Sequence, residues 1–290
     1  MTRDGAIRSK ACCKFFRSML VGIPSDGNGI QTRALAQAIE LALTTACAVS
    51  LYVFAPRLSA PLPVSAATAP AWLAQEAERL EKFTSSVTHE ASQAIYSAGL
   101  EVVVEHASSP FASRSGRFIQ LARVHDLAIL DAADISDTLQ RTVIEDVLFD
   151  SGCPLFLVPR NAGTVKPERI AIAWDGSARS ARAVKDAMPF LVRAETVVAV
   201  TVQGEKDLSR MAPGADLAIF LVRYGIECKL ATLVAEASDV AERLRSFVTS
   251  QGVEMIVMGA FVHSRFRQAI LGGVTRSLLE QPPVPLFLAH

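Results

Sequence analysis

The sequence predicts an α/β fold built from two consecutive copies of one parallel-sheet unit. Three observations carry this. Short apolar runs alternate along the 290 residues with segments of helical composition, the order that builds a parallel sheet with helices on both faces. The run Pro154-Leu155-Phe156-Leu157 recurs 131 positions on, as Pro285-Leu286-Phe287-Leu288. Between the copies, Arg160 to Glu168 breaks the pattern with Asn, Gly, Pro and charge, which reads as a linker. The boundaries follow: a disordered tail over 1–14, a first domain over 15–160, a linker over 161–168 and a second domain over 169–290.

In the first copy, Arg17 to Ile23 is a buried strand closed by the turn Pro24-Ser25-Asp26-Gly27-Asn28-Gly29. Thr32 to Ala46 is helical, Val49 to Phe54 a strand, and Pro56 to Pro70 a loop rich in Pro, Ala and Ser. Trp72 to Ala98 reads as one long helix with Leu73, Leu80, Phe83, Val87 and Ile95 toward one side. Glu76, Glu78 and Glu81 mark its wet face, and Gly99 ends it. The copy continues with strands at Leu100–Glu105, Leu127–Leu130 and Pro154–Val158, and helices at Arg117–Val124 and Val143–Phe149. The second copy starts again at Arg169–Trp174, a strand closed by Asp175-Gly176-Ser177. Ser180 to Arg193 reads as one helix. Strands follow at Thr196–Gln203, Glu227–Leu233, Met255–Met258 and Val284–Leu288, with helices at Ala215–Tyr224, Ala237–Gln251 and Thr275–Glu280.

Bulk properties narrow the function. The chain is 50% hydrophobic and 20% charged, with 29 basic against 29 acidic residues. That balance gives no electrostatic footprint for nucleic acid or an anionic membrane. No run of 18 apolar residues occurs, and the basic N-terminus lacks the apolar core of a signal peptide. A cytoplasmic protein is expected. Cys12, Cys13, Cys47, Cys153 and Cys228 show no metal-ligand spacing, nor do His89, His106 and His125, so reduced thiols and no metal site are expected. No P-loop and no nucleophile elbow occurs.

The stretch from Met255 to Arg276 carries the chemistry. A short strand ends in Gly259, a basic loop with His263, Ser264, Arg265 and Arg267 follows, and Gly272-Gly273 opens a helix. Strand, glycine, loop, glycines and helix make an anion site. Glycine lets backbone approach a phosphate, and the free N–H groups and dipole of a helix start favour negative charge. Thr275 offers a hydroxyl and Arg276 a charge.

This stretch resembles the nucleotide loop of the universal stress protein family, whose ATP-binding members carry Gly, two residues, Gly, nine residues, Gly, then Ser or Thr. Gly259 and Gly272 match the first and third glycines. Val262 stands at the second and Gly273 at the Ser or Thr, while Thr275 fits the hydroxyl residue that often follows. The strand and turn Ile170 to Ser177 also resemble the family, and the first half is similar as a divergent copy. The resemblance implies two tandem domains of the adenine nucleotide alpha hydrolase-like, Rossmann-like type. Each would hold a five-stranded parallel sheet of order 3-2-1-4-5, with the halves in contact through their last strands as an internal pseudo-dimer. It implies a stress-response role and an ATP or AMP site, with Mg accompanying ATP, at the carboxyl ends of the first and fourth strands. The residues it implicates are Ala173, Asp175, Gly259, Val262, His263, Gly272, Gly273 and Thr275, with Asp175 on the adenosine part.

Aligning the fourth strands places Asp131 opposite Gly259, and aligning the last strands places Arg141 opposite Gly272. The first half's loop is three residues shorter and has no glycine from Ala132 through Ser151. Its expected role is structural. Three functions stay open at this point: a nucleotide-responsive regulator, a protein-interaction scaffold that has lost the site, and an enzyme with at most slow ATP hydrolysis. No base–nucleophile pair is visible for the last. Unidentified protein partners and pairing of two chains are compatible with the first two.

Overall fold

The computed structural model describes residues 16–24, 32–54, 69–106, 115–134, 137–160, 162–163, 166–203, 212–234, 240–260 and 273–290. The expected tail and part of the linker lie outside them. In the first half, strands β1 (Ser18–Ile23), β2 (Ala48–Val53), β3 (Val102–His106), β4 (Leu127–Asp131) and β5 (Leu155–Val158) alternate with helices α1 (Arg33–Thr45), α2 (Ala69–Ser97), α3 (Gly116–Ala122) and α4 (Thr138–Asp150). In the second, β6 (Arg169–Ala173), β7 (Thr196–Gln203), β8 (Cys228–Val234), β9 (Met255–Gly259) and β10 (Leu286–Ala289) alternate with α5 (Ala178–Asp186), α6 (Met188–Leu191), α7 (Gly214–Val222), α8 (Val240–Gln251) and α9 (Gly273–Glu280).

The ten strands form one sheet in the order β3-β2-β1-β4-β5-β10-β9-β6-β7-β8. Pairing within each half is parallel, in the expected order 3-2-1-4-5. The halves meet where β5 runs antiparallel to β10, with Phe156 directly opposite Phe287. These are equivalent positions of the repeated Pro-Leu-Phe-Leu run, so the contact is isologous, as at a two-fold axis. Side chains alternate through the sheet. Phe156, Val158 and Phe287 join the core on one face, and Leu155, Leu157, Leu286 and Leu288 the core on the other.

The helix starts are built alike. Thr32 caps α1 by accepting the Leu35 amide at 3.2 Å, and Ser177 caps α5 by accepting the Ser180 amide at 3.2 Å. Two expectations need correction. Ser180 to Arg193 is not one helix: the chain breaks at Ala187 between α5 and α6. Pro189 has no N–H to donate and its ring would strike the carbonyl four residues back. The break places Phe190 in the seam between the halves, against Phe16, Phe156 and Phe287. On α2, Glu76 is buried at 6% exposure and takes the Arg79 guanidinium (Nε to Oε2 2.9 Å), while Leu73 is 39% exposed. A helix of 29 residues is about 43 Å long at 1.5 Å per residue. It therefore outreaches the five-residue β3, and its first turns lie beyond the sheet.

Candidate functional site

The second half's crevice opens between β6 and β9, the first and fourth strands of that half. Ala173 ends β6 opposite Met258, and Gly259 ends β9 opposite Ala289. Beyond Ala173, Trp174 is buried and its indole N–H donates to the Ala212 carbonyl at 2.9 Å. Ala212 returns its amide to the Gly176 carbonyl at 3.3 Å. These two bonds hold the chain before α7 against the turn that follows β6. Asp175 stands half-buried in that turn and its Oδ1 accepts the Ser177 amide at 3.0 Å. Gly176 sits at φ 72°, in the left-handed region, which tightens the turn and starts α5 at once.

Gly259 is there because of α5. A Cβ on it would lie 2.5 Å from the Ser180 nitrogen and 2.6 Å from the Arg179 carbonyl carbon. The first turn of α5 therefore rests directly on the end of β9, and Arg179 stands at the crevice edge. Its sequence position gave no signal for this beyond following a capping Ser177. Arg179 and Arg182 also act on His290, whose ring packs edge-on against Phe149 at 5.0 Å. Burial first, and then these two cations, lower its pKa and favour the neutral ring.

Opposite, Gly273 opens α9 and is exposed, and among the described residues nothing lies within 4 Å of where its Cβ would stand. Thr275 is buried at 2% exposure, while Gly273 and Arg276 of the same turn are exposed. Arg276 bonds Glu280 at 3.0 Å, and Glu280 also meets Arg141 of α4 at 3.3 Å across the seam. The expected site residues Val262, His263 and Gly272, with Arg265 and Arg267, lie outside the described residues.

At the equivalent strand end of the first half a side chain stands between strand and helix. The strand pairings make Asp131 the counterpart of Gly259, opposite Val158 as Gly259 is opposite Ala289. The connection from there to the last strand is three residues shorter (Asp131 to Val158 against Gly259 to Ala289). Asp131 is buried, and its Oδ1 accepts the Ala34 amide at 2.8 Å. Ala34 is the second residue of α1, as Arg179 is of α5. One half brings helix backbone onto a glycine. The other holds the helix away and bridges the gap with a carboxylate, placed where a helix start favours an anion.

A separate cleft of about 550 Å³ lies between the halves, lined in part by Asp126, Cys153, Arg182 and Lys185. Most of its charges already serve structure. Asp126 takes the Arg17 and Ser18 amides at 2.9 and 3.0 Å, and Arg182 donates to the Gly152 carbonyl at 3.0 Å. His125 spends both ring nitrogens, on the Leu121 carbonyl at 2.8 Å and the Ser50 hydroxyl at 3.0 Å. Burial pushes the Cys47 and Cys153 thiols up to about 12, so neither is a nucleophile at neutral pH. Alkylation at pH 8 followed by peptide mapping is expected to leave Cys47 and Cys153 unmodified in folded protein and to modify both in denaturant. Modification of Cys153 in folded protein would contradict this. Among the described residues no group of three or more His, Cys, Asp and Glu can hold a metal, and no helix is long and apolar enough to cross a membrane.

Residues 228–290 match the model of the universal stress protein family. Over this segment the chain is similar to universal stress proteins. The segment spans β8 to β10 and holds Gly259, Gly273 and Thr275, the end of the fourth strand and the start of the helix after it. The fold of the whole chain is also that of universal stress proteins. A universal stress protein from Archaeoglobus fulgidus DSM 4304 superposes with a TM-score of 0.71 at 18% identity, over 94% of this chain and 98% of that one. A protein of Pseudomonas aeruginosa UCBPP-PA14, titled to the same family, superposes at 0.60 with 14% identity, over 97% and 94%. No curated protein matches by sequence.

Proposed function

We propose that this chain is a stress-response regulatory protein whose second half binds an adenine nucleotide, ATP or AMP, between β6 and β9. The observation that carries the reading is the contrast at one strand end: Gly259, with helix backbone laid against it, in the second half, and a buried carboxylate, Asp131, in the first. The residues present suit the ligand. The exposed first turn of α9 supplies backbone N–H groups for phosphate, and Asp175 stands at the strand end where the adenosine part would lie. Thr275 is not among the phosphate donors in this reading, because it is buried. Mg would accompany ATP through the phosphates. The regulatory effect is population shift: a nucleotide that binds one state of the molecule stabilises that state.

Calorimetric titration with ATP and AMP is expected to give one site per chain. Ligand at one hundred times Kd then stabilises the fold by about 2.7 kcal/mol, seen as a rise of a few degrees in Tm. The variant Val262→Gly restores the family's second glycine and is expected to bind at least as tightly. No heat and no Tm shift at millimolar ATP, in either protein, would defeat the nucleotide reading. Binding by Val262→Gly alone would favour the second reading, a protein-interaction scaffold with an eroded site. That reading draws on Asp131, which shows one crevice of this chain already given over to structure.

A further inference from the structure

Helix α7 carries more apolar surface than the sheet beneath it takes up. Of its nine residues, Gly-Ala-Asp-Leu-Ala-Ile-Phe-Leu-Val, only Leu217 and Leu221 are buried. Ile219 is 57% exposed and Val222 62%. At 3.6 residues per turn, Ile219 lies at the middle of the outer face. Asp216 and Arg223 lie together on one flank of it, and Ala215 and Val222 on the other. Asp216 and Arg223 are both exposed, and among the described residues neither side chain has a hydrogen bond or ion pair. Below, β8 is an end strand of the sheet, and its Leu230 is 53% exposed beside Gly214.

We propose that this face docks against the same face of a second copy of the chain, with the two α7 helices antiparallel about a two-fold axis. The charge arrangement identifies the occupant. Asp216 and Arg223 are two turns apart, and their midpoint falls between positions 219 and 220, at the centre of the exposed apolar surface. A two-fold axis there reverses the helix ends and keeps each flank on its own side. Asp216 of each copy then meets Arg223 of the other, so two ion pairs frame an Ile219–Ile219 contact. On the other flank Val222 meets the small Ala215. A surface that is its own complement, in charge and in size, fits an isologous contact. One nine-residue helix with a sheet edge is a small interface, so association is weak and depends on concentration. Nucleotide takes no part in it.

Sedimentation velocity of the full chain, without nucleotide, tests this over a concentration series. The weight-average mass is expected to climb from 31.1 kDa toward twice that value. Ile219→Glu is expected to hold the chain at monomer mass throughout. Asp216→Arg and Arg223→Asp each set like charges face to face twice per dimer and are expected to weaken association roughly tenfold. The double variant Asp216→Arg with Arg223→Asp restores both pairs and is expected to return association to the starting level. A starting protein that stays monomeric overturns the proposal. So does a dimer indifferent to Ile219→Glu, or a double variant no better than either single one. All three positions are exposed, and an unchanged melting curve confirms that each variant is folded.

Discussion

Replacing Gly259 with alanine is expected to lower the unfolding free energy by about 3 kcal/mol, at the upper end of what overpacking costs. The added carbon would stand 2.5 Å from the Ser180 nitrogen and 2.6 Å from the Arg179 carbonyl carbon. Both are backbone atoms, so no rotamer change relieves the clash. Helix α5 has to move off β9 as a unit, and it packs against β10 as well. Urea denaturation monitored by circular dichroism measures the change as a lower midpoint. Gly273→Ala is the internal comparison. Among the described residues nothing lies within 4 Å of its Cβ position, and its φ is not positive, so alanine in this helix is expected to be neutral or to stabilise by up to about 1 kcal/mol. If Gly259→Ala stays within about 0.5 kcal/mol of the natural protein, as an ordinary surface change does, the close approach of α5 to β9 is wrong.

Phe190→Ala is expected to cost about 3–5 kcal/mol, the usual range for a buried phenylalanine. Its ring centroid lies 5.5 Å from Phe16, 5.6 Å from Phe156 and 5.8 Å from Phe287. Each such pair adds to the area it buries. The loss is not shared evenly through the molecule. Phe156 is in β5 and Phe287 in β10, so the residue that joins them ties the halves together. The variant is expected to separate two unfolding transitions that coincide in the natural protein. Each half has its own reporter, Trp72 on α2 and Trp174 after β6. Single-tryptophan versions followed by fluorescence during denaturation read the halves separately. Coincident transitions in Phe190→Ala, with a loss below about 1 kcal/mol, would mean that the aromatic seam does not couple them.

The seam shows how far local reading reaches. The repeated Pro-Leu-Phe-Leu run marked the strands that meet, because a fully buried strand must be apolar on both faces. It also marked the equivalence of the copies, which Phe156 opposite Phe287 displays directly. Pro189 was equally legible as a helix breaker, yet the apolar spacing on either side of it reads as one helix when period alone is followed. The expected long wet face of α2 failed at Glu76 for another reason. Its carboxylate is paired with Arg79 one turn away, and the hydrophobic period does not carry that pairing.

At the candidate site, the family resemblance grouped Gly259, Gly273 and Asp175 but left the reasons for them incomplete. Gly259 reads from sequence as a phosphate-approach glycine. In the fold it is also the contact point of α5, 79 positions earlier at Ser180. Asp131 reads from sequence only as the counterpart of Gly259. In the fold it also holds the Ala34 amide at the start of α1. Thr275 reads as a hydroxyl donor, and its depth, 2% exposure, is set by packing that the spacing does not show.

Sequence by itself determined the strand–helix alternation, the duplication, the parallel order within each copy and the place of the glycine loop. All of these follow from periodicity, turn residues and resemblance over short stretches of chain. Only the tertiary structure decided which strand end holds its helix through a carboxylate, which glycine is required by packing, how the two sheets become one through β5 and β10, and which face of α7 is left uncovered. Those depend on atoms from segments far apart in the chain, such as Leu155 and Leu288, 288 − 155 = 133 positions apart, meeting within a few ångströms, a distance that no local pattern encodes.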